Sequence, residues 1–166
     1  MATPDSDLGL TPSLIDRLID REPALVADPP LMRAQAIRDI KKSLRRDLEW
    51  LLNTRRNPDA VKPEAMEQLA QSLYNYGLPD FSTFSINSPR DQSQLMAELE
   101  TAISIFEPRI NDVTVSLLER PEGTSRILHF QIEGLLAMDP APEMVSFDTT
   151  LQLASGEYEI RGDRGA

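Results

Sequence analysis

The chain has 166 residues, with 17 basic and 27 acidic side chains, a formal net charge of −10 and a pI near 4.6. This acidic balance opposes sequence-independent binding to phosphate backbones and argues against nucleic acid as a partner. With no cysteine and a single histidine, His129, the chain cannot form a disulfide, a thiolate or multi-histidine metal site, or a cysteine nucleophile.

The expected elements follow in chain order. The amino terminus, Met1 to Asp7, lacks a positive segment followed by an apolar run, and no stretch of about eighteen apolar residues follows it, so a cytoplasmic chain without direct membrane insertion is expected. Thr11-Pro12 reads as an N-cap and first-turn pair, and Leu14, Ile15, Leu18 and Ile19 mark a short amphipathic helix ending near Asp20. This helix falls in an N-terminal arm, residues 1–30, whose end is rich in proline.

A single domain is expected over residues 31–160. Ile37, Ile40, Leu44, Leu48 and Leu51 step by three or four through a run free of Gly and Pro, which predicts a helix over Leu31 to Leu52 with Trp50 at its flank. Arg38, Lys41, Lys42, Arg45, Arg46, Arg55 and Arg56 cluster in and just after it. They read either as a solvated helix face or as a docking surface for an acidic partner, with Arg45, Arg46, Arg55 and Arg56 the docking candidates. Arg55 and Arg56 also suit a helix C-terminus, where cations offset the dipole.

Glu64 to Tyr76 is left open between a helical turn and irregular chain. Asn75 to Phe81 reads as a tight bend in which Gly77 takes positive φ and Pro79 fixes the exit. Ser88-Pro89 opens a second long helix, Asp91 to Phe106, whose apolar face is Leu95, Leu99, Ala102, Ile103 and Phe106. At Glu107-Pro108-Arg109 the period changes from helical to two: Val113, Val115 and Leu117 alternate with polar residues. Strands are expected over Asn111 to Arg120, Arg126 to Met138 and Met144 to Leu153, the first two joined by a turn at Pro121 to Thr124 and the last two by a proline-interrupted connection, Asp139 to Pro142. Tyr158 and Ile160 suggest a short final strand before a polar tail, residues 161–166. A helix-rich half followed by a meander implies an α+β fold, with helices packed on one face of a small, mostly antiparallel sheet with an open edge. Such an edge is either covered or offered to a partner strand.

Little in the chain suggests chemistry. Asp80 and Glu107, each in a proline-fixed turn, are the pair that a hydrolase reading such as a peptidoglycan hydrolase would use, but spacing alone places no sugar cleft between them. His129 lacks a serine-centred elbow, and Gly77, Gly123 and Gly134 are isolated, so no catalytic, metal or cofactor-binding residue is assigned. Glu107 and Arg109 read either as an internal turn pair or as a recognition corner, where the planar fork of arginine binds carboxylates bidentately.

In order along the chain, the helix ending Ser43-Leu44-Arg45-Arg46-Asp47-Leu48-Glu49-Trp50-Leu51-Leu52-Asn53-Thr54-Arg55, the bend Tyr74 to Phe81, the Ile105-Phe106-Glu107-Pro108-Arg109 corner and the strands after it resemble the TssE family. These are baseplate components of bacterial type VI secretion systems, similar to the small wedge protein of contractile-phage baseplates. The resemblance spans roughly residues 10 to 155 and implies a non-catalytic structural subunit at the cytoplasmic, inner face of the cell envelope. It implies attachment through Glu107, Pro108 and Arg109 to a wedge core of TssF and TssG, with TssK in the same baseplate. It further implies that the first sheath subunits, TssB and TssC, add strands to the sheet and so begin sheath polymerisation. No cofactor is implied.

Overall fold

The computed structural model describes residues 12–19, 33–60, 66–81, 84–85, 88–118, 127–139, 141–152 and 155–163. Its elements are helix α1 (Leu14–Leu18), helix α2 (Arg33–Asn53), helix α3 (Glu67–Ala70), a 3-10 turn (Leu73–Asn75) and helix α4 (Pro89–Phe106), then strands β1 (Ile110–Leu117), β2 (Ile127–Leu136), β3 (Glu143–Gln152) and β4 (Glu157–Asp163). The strands pair antiparallel in sequence order, β1-β2-β3-β4. The fold is therefore α+β, with the helices packed against an open four-stranded antiparallel sheet among the described residues.

Helix α2 forms where the apolar stripe requires it: Ala36, Ile40, Leu44, Leu48, Leu51 and Leu52 are buried while Ile37 packs at the margin. The helix ends in side-chain caps. Asn53 Nδ2 donates to Glu49 O at 2.8 Å and Thr54 Oγ1 donates to Trp50 O at 2.6 Å, satisfying carbonyls that the last turn leaves open. Trp50 lies at the flank, 49% exposed, with the Arg46 guanidinium 5.0 Å above its ring. Helix α4 starts at Pro89, two residues before the expected Asp91. Ser88 Oγ accepts from Asp91 N at 3.3 Å, and Pro89 takes a first-turn position where its missing N–H costs nothing.

Strand β2 alternates without fault: Leu128, Phe130, Ile132, Gly134 and Leu136 face the core, and the half-buried His129 lies on the opposite side. On β3, Val145, Phe147, Thr149 and Leu151 face the core as expected; Leu153, expected beside them, lies outside the described residues. One apolar cluster joins Leu44 and Leu48 of α2, Leu99 and Ile103 of α4, and Phe130, Phe147 and Ile160 of the sheet. Fully burying an aliphatic or aromatic side chain of this kind contributes about 2 kcal/mol, so this shared layer is what holds the helices to the sheet.

Strand β1 departs from the expected alternation. Val115 is buried, but Val113 is half-buried and Leu117 is 37% exposed. The register shifts between Asn111 and Thr114, where Asp112 has φ +52°, so that Ile110 and Val115, five positions apart, both face the core; Leu117 shares that face, opposite Phe130, but is left partly uncovered. Strand β4 continues through Asp163, which pairs with Phe147, so it takes three residues that composition assigns to the polar tail. Glu64 to Tyr76 resolves into α3 and the 3-10 turn, apart from residues 64 and 65. The cap of α1 is Ser13, whose Oγ accepts from Asp16 N at 3.2 Å; Thr11, the Pro-rich stretch 22–30 and the turn at 121–124 lie outside the described residues.

Candidate functional site

The corner after α4 is built by three chain segments. Glu107 terminates the helix, its N–H donating to Ile103 O at 2.8 Å, and Pro108 prevents continuation. The Glu107 side chain then turns inward and is 5% exposed, whereas Pro108 is exposed on the outside of the corner. Arg109 grips that carboxylate with two prongs: Nε donates to Oε1 at 2.6 Å and Nη2 to Oε2 at 2.5 Å. Its backbone carbonyl meanwhile accepts from Ala137 N at 2.9 Å, which locks the residue to the end of β2.

The same Nη2 also donates to Asp47 Oδ2 on α2 at 2.7 Å. Asp47 Oδ1 accepts from Arg46 Nη2 at 2.7 Å, and Arg46 Nη1 reaches Asp16 Oδ1 on α1 at 2.9 Å. Charges of alternating sign therefore run Asp16, Arg46, Asp47, Arg109, Glu107. Burial opposes the positive charge of Arg109, but the hydrogen bonds and charges of Glu107 and Asp47 outweigh it and push its pKa up. Its Nη1 is buried and has no hydrogen-bond partner among the described residues. Burial also raises the pKa of the Tyr76 hydroxyl, as do the nearby Asp47 and Glu107 carboxylates. The Tyr76 ring meets Phe106 edge-on at 5.2 Å between centroids.

The bend sits against the end of α2. Gly77 has φ +102°, and a Cβ there would lie 2.3 Å from Thr54 O, so both conformation and contact require glycine. Leu78 N donates to Thr54 O at 2.8 Å and Arg56 N donates to Leu78 O at 2.7 Å. Arg56 is stitched in further, through Nε to Gly77 O at 3.0 Å and Nη1 to Glu98 on α4 at 3.1 Å.

Of the docking arginines, Arg46 and Arg56 therefore have their guanidinium groups turned to partners within the chain. Arg45 and Arg55 are exposed, the latter 3.7 Å from Asp80. Such a surface pair contributes little.

Asp47 and Tyr76 are members of the site that the periodic reading of the sequence did not single out. A signal for Asp47 was present: it stands three residues after Leu44 and four before Leu51, on the buried stripe of an otherwise basic helix segment. A carboxylate placed there must find a cation or raise the cost of burial. The arrangement holds shape more than it offers reactive groups. Both oxygens of Glu107 accept from Arg109, and Asp80 is an exposed residue beside Arg55, so the pair gives no support to acid–base work of the kind a glycosidase performs. Among the described residues no group of three or more His, Asp or Glu side chains is placed to hold a metal, and no helix is long and apolar enough to cross a membrane.

A family model described as baseplate wedge protein gp25 matches residues 38–141. That span takes in most of α2, the bend, α4, the corner and the first two strands. No curated protein matches the chain.

Proposed function

Since the chain belongs to the family of baseplate wedge protein gp25, a structural family, we propose that it serves as a TssE-type wedge subunit of a type VI secretion baseplate. It is a non-catalytic part that attaches to a wedge core of TssF and TssG, beside TssK, on the cytoplasmic face of the envelope. Its open sheet adds strands from the first TssB and TssC subunits and so starts the sheath.

The observation that carries the attachment is the way the corner is set. Glu107 and Arg109 are turned inward and fixed to one another and to Asp47, while Pro108 projects from the outside of the turn. A rigid, preorganised protrusion costs little entropy to bind, so a partner reads shape here more than free charge.

Two substitutions test this in the full chain. Pro108→Lys alters the exposed face and leaves the ion pairs in place; Arg109→Lys keeps the charge but loses the fork. Both are expected to lose co-purification with TssF and TssG, with the circular dichroism of Pro108→Lys unchanged. Wild-type capture by Pro108→Lys would overturn the contact assignment.

A further inference from the structure

We infer that helix α1 is a binding element: its apolar side, with Trp50 beside it, enters an apolar recess on the same partner that receives the Pro108 corner, and the Asp16–Arg46 ion pair holds it in position beforehand. The inference rests on the attachment reading above and adds to it a second contact, the chemistry of that contact and the residue that positions it.

Helix α1 is seated with its polar side toward the body. At the helical pitch Leu14 and Leu18 lie one turn apart, as do Ile15 and the C-cap Ile19, so these four share one side, while Ser13 and Asp16 share the other. The Asp16 carboxylate meets the Arg46 guanidinium twice, Nη1 donating to Oδ1 at 2.9 Å and Nη2 to Oδ2 at 3.2 Å, and the same Nη2 donates to Ser13 Oγ at 3.4 Å. No residue of α1 is buried. Leu14, Ile15, Leu18 and Ile19 are 70, 44, 76 and 50% exposed, the reverse of what an amphipathic helix packed on its own domain shows. Five residues are too few to hold a helix in water unaided, and the seat at Arg46 steadies this one while its aliphatic side faces out.

Trp50 extends that side. The guanidinium that holds Asp16 also lies 5.0 Å over the Trp50 ring, which places the half-exposed indole beside α1. Tryptophan is among the residues that most often dominate the binding energy of an interface.

The size and the place of this patch select its occupant. Stable interfaces take about 20–30 residues from each side. Leu14, Ile15, Leu18, Ile19 and Trp50 are too few for two copies of the chain to pair through them, so they belong to a larger contact. The neighbouring contact is the corner. From Asp16 the ion pairs with Arg46, Asp47, Arg109 and Glu107, at 2.9, 2.7, 2.7 and 2.5 Å, lead without a break to the residue before Pro108. A partner surface of standard size, about 800 Å², spans that distance, and the part of it that meets α1 is apolar. With α1 already seated, little further ordering is needed when the partner arrives.

Titration calorimetry of the full chain with the purified TssF–TssG wedge core is the test. It is run also on Leu14→Gln/Leu18→Gln, which keeps good helix formers in α1, on Asp16→Asn, and on Leu73→Gln, which alters an 83% exposed leucine of the 3-10 turn. Because neither leucine of α1 is buried in the isolated chain, the double variant is expected to keep the wild-type circular dichroism and urea midpoint while binding at least about thirtyfold more weakly. Asp16→Asn should bind about three- to tenfold more weakly, since α1 must then be ordered on binding, and Leu73→Gln should bind as wild type. In the complex, the amides of Arg17 and Ile19, bonded to Ser13 O and Ile15 O at 3.1 Å, should exchange at least about tenfold more slowly.

Wild-type affinity in the double variant would overturn the α1 contact and leave attachment through Pro108 standing; loss of binding by Leu73→Gln in the same experiment would move the apolar contact to the 3-10 turn. A concentration-dependent dimer of the chain that the double variant abolishes would assign the side to a second copy instead. Wild-type affinity in Asp16→Asn would overturn the positioning role. No binding by the wild-type chain would overturn the attachment reading, and this inference with it.

Discussion

Arg109 at the entrance to β1 and Asp47 in the C-terminal half of α2 meet through one contact of 2.7 Å between Nη2 and Oδ2, 62 residues apart in the chain. Because charges on either side of this contact alternate in sign, each inner member is flanked by opposites. Deleting Arg109 would leave two carboxylates, Asp47 and Glu107, facing one another in a poorly solvated corner.

Arg109→Ala is therefore expected to cost about 3–5 kcal/mol in urea denaturation, the range for orphaning a buried charge. The double change Glu107→Met/Arg109→Met should recover at least half of that loss, since a buried pair replaced by apolar volume is close to neutral. A double variant no more stable than Arg109→Ala would show that the loss is one of packing.

Gly77→Ala places a Cβ 2.3 Å from Thr54 O at a φ of +102°. It should cost more than about 1 kcal/mol, because strain in the left-handed region adds to displacement of the α2–bend contact. Gly162→Ala is the control: nothing lies within 4 Å of its added methyl, and its midpoint should stay within about 0.5 kcal/mol of wild type.

The seating of α1 should depend on acid. Burial alone would raise the Asp16 pKa, but the hydrogen bonds from Arg46 and Ser13 and the charge of Arg46 outweigh it, bringing it from 3.8 down to about 2. A carboxyl depressed in the seated form contributes fully above its ordinary value of 3.8 and loses that contribution as the pH falls toward 2. Arg46 stacks over the single tryptophan, Trp50, so fluorescence should report release of α1 in that window. Asp16→Asn should remove the transition; an identical acid transition in Asp16→Asn would assign it elsewhere.

Tyr158→Phe should be neutral or stabilising by up to about 1 kcal/mol in thermal denaturation. The hydroxyl is buried without a partner among the described residues, burial pushes its pKa up, and a buried donor left unsatisfied carries a desolvation cost. The ring keeps its edge contact with Phe130 at 6.0 Å. A clear loss of stability would point to a bound water on the hydroxyl.

The regular elements were legible because they are amphipathic on a local period. Leu44, Leu48 and Leu51, or Leu128, Phe130 and Ile132, announce their element within a dozen residues. Phe106 as the last helical residue, the bend at Gly77 and the Glu107–Arg109 corner were legible for a similar reason, since proline and glycine act on their immediate neighbours. What was not legible depends on distance or on a single dihedral. Periodicity says that Asp47 lies on a buried stripe but does not say which cation comes to it, and it leaves Arg46 looking like part of a basic surface when its charge is spent on Asp16 and Asp47. The irregularity at Asp112 shifts the parity of β1, so that Ile110 faces the core together with Val115, which a strict alternation from Val113, Val115 and Leu117 does not suggest. Asn53 reads as a turn former, and its reach to Tyr158, 105 residues on, appears only when α2 and β4 are placed side by side.

The alternating ion chain also decides how this molecule would carry a mechanical load. A pull on Pro108 does not peel β1 from the sheet one hydrogen bond at a time. Through Arg109 it is shared with Asp47, about two-thirds of the way along a helix of 21 residues whose apolar face is embedded over most of its length. Force entering at the corner is thereby spread along a stiff rod and across its whole contact with the sheet, so the rupture path runs in shear, the direction in which many weak contacts must fail together.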